Sequence, residues 1–142
     1  MIKNILVPYD GSEPSKRALD SAIELAGLYK ADISVVSCLL IHTHVDPVMT
    51  VAYVETMKLQ KDGVKKTMSE IEPRLKQANI SYKMDVLESV SITDAILSYA
   101  DAHAIDLIVI GSRGLGGFKK MVLGSVASGV SQHSKCPVLI VK

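Results

Sequence analysis

Gly111, Gly114, Gly124 and Ser125 are spaced as Gly-x2-Gly-x9-Gly-Ser, and the pattern begins where the apolar run 105–110 ends. A glycine-rich loop that leads from a strand into a helix brings bare backbone N–H groups close to phosphate oxygens. The spacing therefore indicates a nucleotide as the first ligand to consider.

Two better-known phosphate motifs do not fit this loop. A Walker A loop starting at Gly111 would need lysine after Gly116, where Gly117 stands, and the dinucleotide fingerprint would need a third glycine at Lys119. The helix expected from Ser125 still offers N–H groups and a hydroxyl to an anion. A plainer alternative is that Gly111, Gly114, Gly116 and Gly117 only permit turns with positive φ.

Short apolar runs alternate with segments of helical period along the chain. The runs expected to form strands are 2–7, 33–41, 81–87, 105–110 and 138–141. Three of them lack strict alternation, as strands covered on both faces do. Five strands separated by helices predict a parallel sheet. The one long connection, 42–51, is interpreted either as a lid or as a solvated loop.

Four helices are expected between these strands. Ser12 is suited to cap the first helix, and Ser91 the third, with the Asp94 side chain reaching back to the cap. Pro73 should bend or shorten the last turn of the second helix. The fourth helix starts near Ser125, whose hydroxyl could serve as a cap or contact a phosphate.

Two groups of residues invite a metal-site interpretation, and neither has suitable spacing. His42, His44 and Asp46 alternate in an irregular segment that fixes no geometry, so metal binding there is disfavoured. Cys38 and Cys136 lack Cys-x-x-Cys spacing and are interpreted as reduced packing residues.

Length and composition narrow the class of protein. The 142 residues predict a single domain, 1–142. Sixteen basic and 15 acidic residues nearly cancel, so no overall positive field would attract nucleic acid or an anionic membrane. The first apolar run is too short for a signal peptide, and no apolar stretch reaches about 18 residues. We therefore expect a soluble cytoplasmic protein with no nucleic-acid or membrane partner.

Several ordered segments together resemble the universal stress protein family. They are ILVPYDGS at 5–12, AIDLIVIGSRG at 104–114, LGSV at 123–126 and CPVLIV at 136–141. The resemblance implies an adenine nucleotide alpha hydrolase-like α/β fold, a doubly wound five-stranded parallel sheet of order 3-2-1-4-5 with helices on both faces. That order places the first and fourth strands side by side at a switch point, where a crevice opens.

The resemblance also implies which residues hold the ligand. In the nucleotide-binding branch of the family the complete glycine pattern marks the members that bind ATP, and this chain has the whole pattern. Asp10 would contact the ribose or a phosphate-bound Mg²⁺. The adenine and ribose pocket would be lined by Pro8, Tyr9 and Cys38. The phosphates would be held by Gly111, Arg113, Gly114, Gly124, Ser125 and Val126.

No residue beside the loop is an obvious general base, so rapid phosphoryl transfer is not expected. His103 and His133 fall on predicted helices and are not interpreted as catalytic. Lys119 and Lys120 are adjacent on one short turn and are expected to point into water rather than to bind phosphate.

The resulting hypothesis is an ATP-binding regulatory or stress-response module with slow or no ATP hydrolysis. Nucleotide would order the loop 112–123 and so alter a surface that a client protein reads. A homodimer is expected through the exposed edge strand 138–141. Two alternatives stay open: a Mg²⁺-dependent ATP hydrolase or adenylyl-transferring enzyme on the same fold, and a structural interaction dimer that binds no nucleotide.

Overall fold

A computed structural model describes residues 1–115 and 122–142. The strands are β1 (Asn4–Pro8), β2 (Asp32–Leu40), β3 (Tyr82–Ser89), β4 (Leu107–Gly111) and β5 (Val138–Val141). The described α-helices are α1 (Glu13–Tyr29), α2 (Thr50–Gln77), α3 (Ile92–Ala102) and α4 (Ser125–His133), and a short 3-10 helix covers Pro47–Met49. Within the described ranges, no helix combines the length and the apolar character that crossing a membrane requires.

The strands form one parallel sheet in the order β3-β2-β1-β4-β5. This order confirms the predicted fold class. Because β1 lies between β2 and β4, the chain reverses its direction of winding there, and Leu6 pairs with Ile108 across the boundary. The loops that leave the carboxyl ends of β1 and β4 therefore diverge and open a crevice.

Two apolar cores cover the two faces of the sheet, because successive side chains of a strand point to opposite faces. Ile5 and Val7 of β1 pack in the core that contains the buried residues of α1 and α2, whereas Leu6 packs in the core that contains those of α3 and α4. Helices on both faces explain why β4 and the buried residues 5–7 of β1 are apolar in succession instead of alternating.

The predicted helix caps are confirmed at Ser12 and Ser91, whose hydroxyls accept hydrogen bonds from the N–H groups three residues later. The predicted return contact from Asp94 is wrong. The N–H of Ser91 donates instead to the hydroxyl of Ser89, at 3.1 Å. The end of β3 supplies this acceptor, so the Asp94 side chain is not needed for it.

Of the two outcomes predicted for Pro73, a bend or a shortening of the last turn, the shortening is wrong, since α2 continues to Gln77. Proline interrupts one main-chain hydrogen bond of a helix. Ile71 and Leu75 are buried in the same core on either side of Pro73, and their packing offsets this loss.

The segment 42–51 is more regular than predicted. Its second half forms the 3-10 helix and the first residues of α2, because Asp46 accepts a hydrogen bond from the N–H of Val48, at 2.8 Å, and so caps the 3-10 helix. The N–H of His42 donates to the hydroxyl of Tyr53 in α2. The irregular part of the connection is thus short and tied to α2.

Candidate functional site

A cavity of about 610 Å³ lies at the carboxyl ends of β1 and β4. Every residue that the sequence predicted for the nucleotide site lines it. These residues are Pro8, Tyr9, Asp10, Cys38, Gly111, Arg113, Gly114, Gly124, Ser125 and Val126. The topology brings together segments that are far apart in the sequence.

One wall of the cavity is apolar. Val36 of β2, Ile110 of β4, and Ile92 and Ile96 of α3 line this side. Neither Ile92 nor Ile96 is among the residues that the sequence predicted for the site. Their position in the first turns of α3, which starts at the carboxyl edge of β3, was the available signal.

Tyr9 lines the cavity, although its side chain belongs to one of the two apolar cores. Its side chain is buried in the core under α1 and α2, and this burial raises the pKa of its phenol. Its N–H donates to the carbonyl of Val36, at 2.8 Å, and its carbonyl accepts from the hydroxyl of Ser37. These two hydrogen bonds of Tyr9 fix the main chain at the end of β1, beside the cavity.

Cys38 behaves as an apolar lining residue. Burial raises the pKa of its thiol to about 11, so the thiol is protonated at neutral pH. Cys136 is half-buried, and both cysteines are free. The interpretation of the cysteines as reduced packing residues agrees with this structure.

The glycines at the site serve close packing. Gly11 is the glycine with positive φ, 82°, in the described part of the chain, so the positive-φ alternative is wrong for Gly111 and Gly114, whereas Gly116 and Gly117 lie outside the described residues. A β-carbon on Gly111 would lie 2.7 Å from the carbonyl carbon of Pro14. Gly111 thus lets the end of β4 approach the first turn of α1.

The two later glycines of the pattern also lie against other groups. A β-carbon on Gly114 would lie 2.7 Å from Oδ2 of Asp10, and one on Gly124 would lie 3.3 Å from the carbonyl oxygen of Ser112. The N–H of Gly124 donates to that same oxygen, at 2.7 Å. The start and the end of the glycine loop are therefore held together.

The amino end of α4 has no side-chain cap, in contrast to α1 and α3. Its N-cap is Gly124, and Ser125 is the first helical residue, so the alternative that Ser125 caps the helix is wrong. Ser125, Val126 and Ala127, which form the first turn, all line the cavity. The N–H groups of a first turn have no partner within the helix and carry the positive end of its dipole. This end of the cavity is suited to an anion.

Both carboxylate oxygens of Asp10 accept hydrogen bonds from the main chain. Oδ1 accepts from the N–H of Ser12, at 2.9 Å, and Oδ2 from the N–H of Leu115, at 3.2 Å. The contact with Leu115 is not predictable from the sequence, because nothing in it indicates which N–H of the loop would reach Asp10. The hydroxyl of Ser12 makes a second link, donating to the carbonyl of Arg113, at 3.4 Å.

The residues present fit a dedicated Mg²⁺ site poorly. Among the described residues that line the cavity, Asp10 is the one carboxylate. Residues 1–115 and 122–142 also contain no group of three His, Cys, Asp or Glu side chains arranged to hold a metal ion, and this includes the segment with His42 and His44. Binding of Mg²⁺ by Asp10 stays a prediction, and its contacts favour another role.

His103 and His133 do not line the cavity. The ring of His103 stacks on Tyr99, with 3.8 Å between the ring centroids, at the end of α3. His133 is exposed at the end of α4. Lys119 and Lys120, with the central part of the loop 112–123, lie outside the described residues.

The sequence matches known proteins over its whole length. The profile of the universal stress protein family matches residues 1–142. Universal stress protein YxiE of Bacillus subtilis is 31% identical over 155 aligned positions, which cover 100% of this chain and 100% of that protein.

Solved structures agree with this similarity. Universal stress protein UspA from Lactobacillus plantarum matches with a TM-score of 0.91 over 99% of this chain and 97% of its own, and its 24% identity makes this a likeness of fold. A universal stress protein solved in complex with cAMP matches with a TM-score of 0.71 and 26% identity over 99% of this chain and 96% of its own. Since the family profile spans every residue and a relative at 31% identity aligns from end to end, the chain belongs to the universal stress protein family.

Proposed function

We propose that the cavity binds an adenine nucleotide, with ATP as the first candidate, and that occupancy serves regulation in a stress response rather than rapid catalysis. The observation that carries the proposal is the uncapped amino end of α4, whose first turn lines the cavity. A phosphate group is the natural partner for such N–H groups. Gly124, at the N-cap, leaves room for the phosphate to come close to the main chain.

The other end of the cavity suits a base. The apolar wall of Val36, Ile92, Ile96 and Ile110 lies beside the protonated thiol of Cys38. A flat, largely apolar ring gains free energy by leaving water for such a surface, whereas phosphates would not. The structural relative solved in complex with cAMP supports adenine as that base.

The described residues offer little for phosphoryl transfer. No histidine in the described part of the chain lines the cavity, and both oxygens of Asp10 already accept main-chain hydrogen bonds. A general base must reach the proton that it removes, and phosphoryl transfer also needs charge stabilisation in the transition state. We therefore propose slow or no ATP hydrolysis, with a client protein reading the occupied state.

The edges of the sheet support a homodimer through β5. The opposite edge strand, β3, carries the charged residues Lys83, Asp85 and Glu88, which protect a free edge from pairing. The β5 strand has only valine, leucine and isoleucine, and Leu139 is 40% exposed. Antiparallel pairing of two β5 strands across a two-fold axis would cover this apolar edge.

Acid extraction followed by calorimetry tests the proposal. The purified protein is precipitated with acid, and the supernatant is separated on a nucleotide column; the protein freed of nucleotide is then titrated with ATP. We expect an adenine nucleotide in the extract and saturable binding near one ATP per chain. Absence of both would favour the structural interaction protein. Release of ADP or AMP over many turnovers in a Mg²⁺ assay would favour the enzyme.

A further inference from the structure

Asp10 and Leu115 join the two loops that border the cavity. Asp10 follows β1, Leu115 follows β4, and the two residues are 105 positions apart in the sequence. The N–H of Leu115 donates to Oδ2 of Asp10, at 3.2 Å. We call this hydrogen bond the clasp.

Gly114 makes the clasp possible. A β-carbon there would lie 2.7 Å from the same Oδ2 atom, so any other residue would push the carboxylate away from the loop. Oδ1 is held in turn by the N–H of Ser12, which orients the carboxylate toward Leu115. The second glycine of the Gly-x2-Gly-x9-Gly-Ser pattern is thereby explained without a contact to the ligand.

The clasp assigns Asp10 a role different from that of a metal ligand. Mg²⁺ demands near-octahedral oxygen ligands at short distance, and each oxygen of Asp10 is already directed at a main-chain N–H. No second carboxylate among the described residues lines the cavity to support an ion there.

We propose that Asp10 is a positioning residue that holds the start of the glycine loop against the end of β1, through Leu115, rather than the protein ligand of Mg²⁺. The inference rests on the proposed function, since the loop so positioned is the one assigned to the phosphates. It predicts that Asp10 affects nucleotide affinity through loop geometry, and hence equally with and without Mg²⁺.

The first test needs no nucleotide. Amide hydrogen exchange of the full nucleotide-free chain is measured at Leu115 by NMR in the wild type, Asp10→Ala and Asp10→Asn. A hydrogen bond to a charged group slows exchange, so Asp10→Ala should accelerate it about tenfold, and Asp10→Asn, which keeps one acceptor oxygen, should accelerate it less. Asp62→Ala removes an exposed carboxylate of α2 and should leave the rate unchanged. Equal rates in the wild type and Asp10→Ala would overturn the clasp.

The second test removes the donor instead of the acceptor. Leu115→Pro deletes the N–H, and the preceding Gly114 is the residue that tolerates a following proline best. ATP affinity is measured by calorimetry in EDTA and in Mg²⁺. Asp10→Ala and Leu115→Pro should each lower the affinity for ATP about tenfold in both buffers, and the double variant should bind ATP no more weakly than either single variant.

The outcomes separate the two roles. A loss on Asp10→Ala confined to the Mg²⁺ buffer, with Leu115→Pro unchanged, would make Asp10 a metal ligand and overturn the proposal. Circular dichroism melts of each variant show that the fold is retained, and Leu115→Ala, which keeps the N–H, should keep its slow exchange. If the wild type bound no ATP, the proposed function would fail, and the exchange measurement would still decide on the clasp.

Discussion

The N–H of Gly124 donates a hydrogen bond to the carbonyl oxygen of Ser112, at 2.7 Å, and so closes the glycine loop at its base. The N–H of Ser112 donates in turn to the carbonyl of Val141, also at 2.7 Å, which fixes that base to β5. Gly124 has extended backbone angles that any residue can adopt, φ −71° and ψ 160°. Glycine is therefore required at this position for steric reasons and not for its backbone angles.

A branched side chain at Gly124 should strongly weaken ATP binding and leave the fold intact. Its β-carbon would lie 3.3 Å from the carbonyl oxygen of Ser112. The rest of the side chain would take space beside the amino end of α4, where we propose that the phosphate binds. We expect Gly124→Val to weaken ATP by a factor of about 100, comparable to losing two charge-assisted hydrogen bonds. Calorimetry measures the affinity, with Gly124→Ala as the milder comparison. Undiminished affinity of the valine variant would contradict the assigned phosphate end.

Gly111 should matter for stability. A β-carbon there would lie 2.7 Å and 2.8 Å from main-chain atoms of Pro14 and Ser15, which cannot move without shifting α1. Gly111→Ala should lower the free energy of unfolding by about 1–3 kcal/mol, the cost of overpacking. Gly27→Ala is the matched control, because a β-carbon there has no neighbour within 4 Å, and it should raise the free energy by about 0.5–1 kcal/mol. Urea unfolding compares the two, and equal effects would refute the packing argument.

The thiol of Cys38 should report on pH and on occupancy. Its folded pKa is raised from 9.0 to about 11, so the folded state retains a proton that the unfolded state loses. This contribution to stability is complete below pH 9 and disappears as the pH rises toward 11. The free energy of unfolding, measured in urea, should therefore change less between pH 9 and about pH 11 for Cys38→Ala than for the wild type.

The same thiol should react slowly with a thiol reagent at pH 8, and ATP should slow it further, because both the raised pKa and a bound base protect it. A Cys136→Ser background isolates the signal of Cys38. Reaction as fast as that of an unstructured cysteine peptide would contradict the buried position.

The proposed dimer should depend on β5. A charge on the apolar edge would oppose pairing of two β5 strands, so Leu139→Glu should give a monomer in sedimentation at micromolar concentration. Lys83→Glu, on the opposite edge strand, changes a charge without touching β5 and should sediment as the wild type does. A monomeric wild type would refute the dimer.

The sequence predicted a parallel sheet and the polar and glycine residues of the cavity, but it did not predict the apolar wall of Val36, Ile92, Ile96 and Ile110. Apolar runs that are buried on both faces and the glycine pattern after β4 indicate a parallel sheet with a loop at its carboxyl edge, and the family resemblance supplied the strand order. The sequence does not predict contacts that depend on differences of a few tenths of an ångström. The acceptor for the N–H of Ser91 is Ser89 instead of Asp94, and the partner of Asp10 is Leu115, because several groups with equal chemistry were within reach.

Helix ends followed tertiary packing more than local propensity. Pro73 predicts a shortened helix, yet Leu75 beyond it is fully buried and holds the last turn in place. Such an outcome depends on what Leu75 packs against, and the sequence alone does not specify this. The 3-10 helix in the segment 42–51 has a local cause instead, which is the cap that Asp46 provides.

The two apolar cores have different consequences, one for thermal stability and the other for the choice of ligand. Leu75 and Leu19 lie on the side of the sheet away from α3 and α4, whereas Val36, Ile96 and Ile110 lie beneath the bound base that we propose. Substitutions that improve packing in the core under α1 and α2 should therefore raise the melting temperature, and substitutions in the core under α3 and α4 should change which base is accepted. The two sets of substitutions should have nearly additive effects.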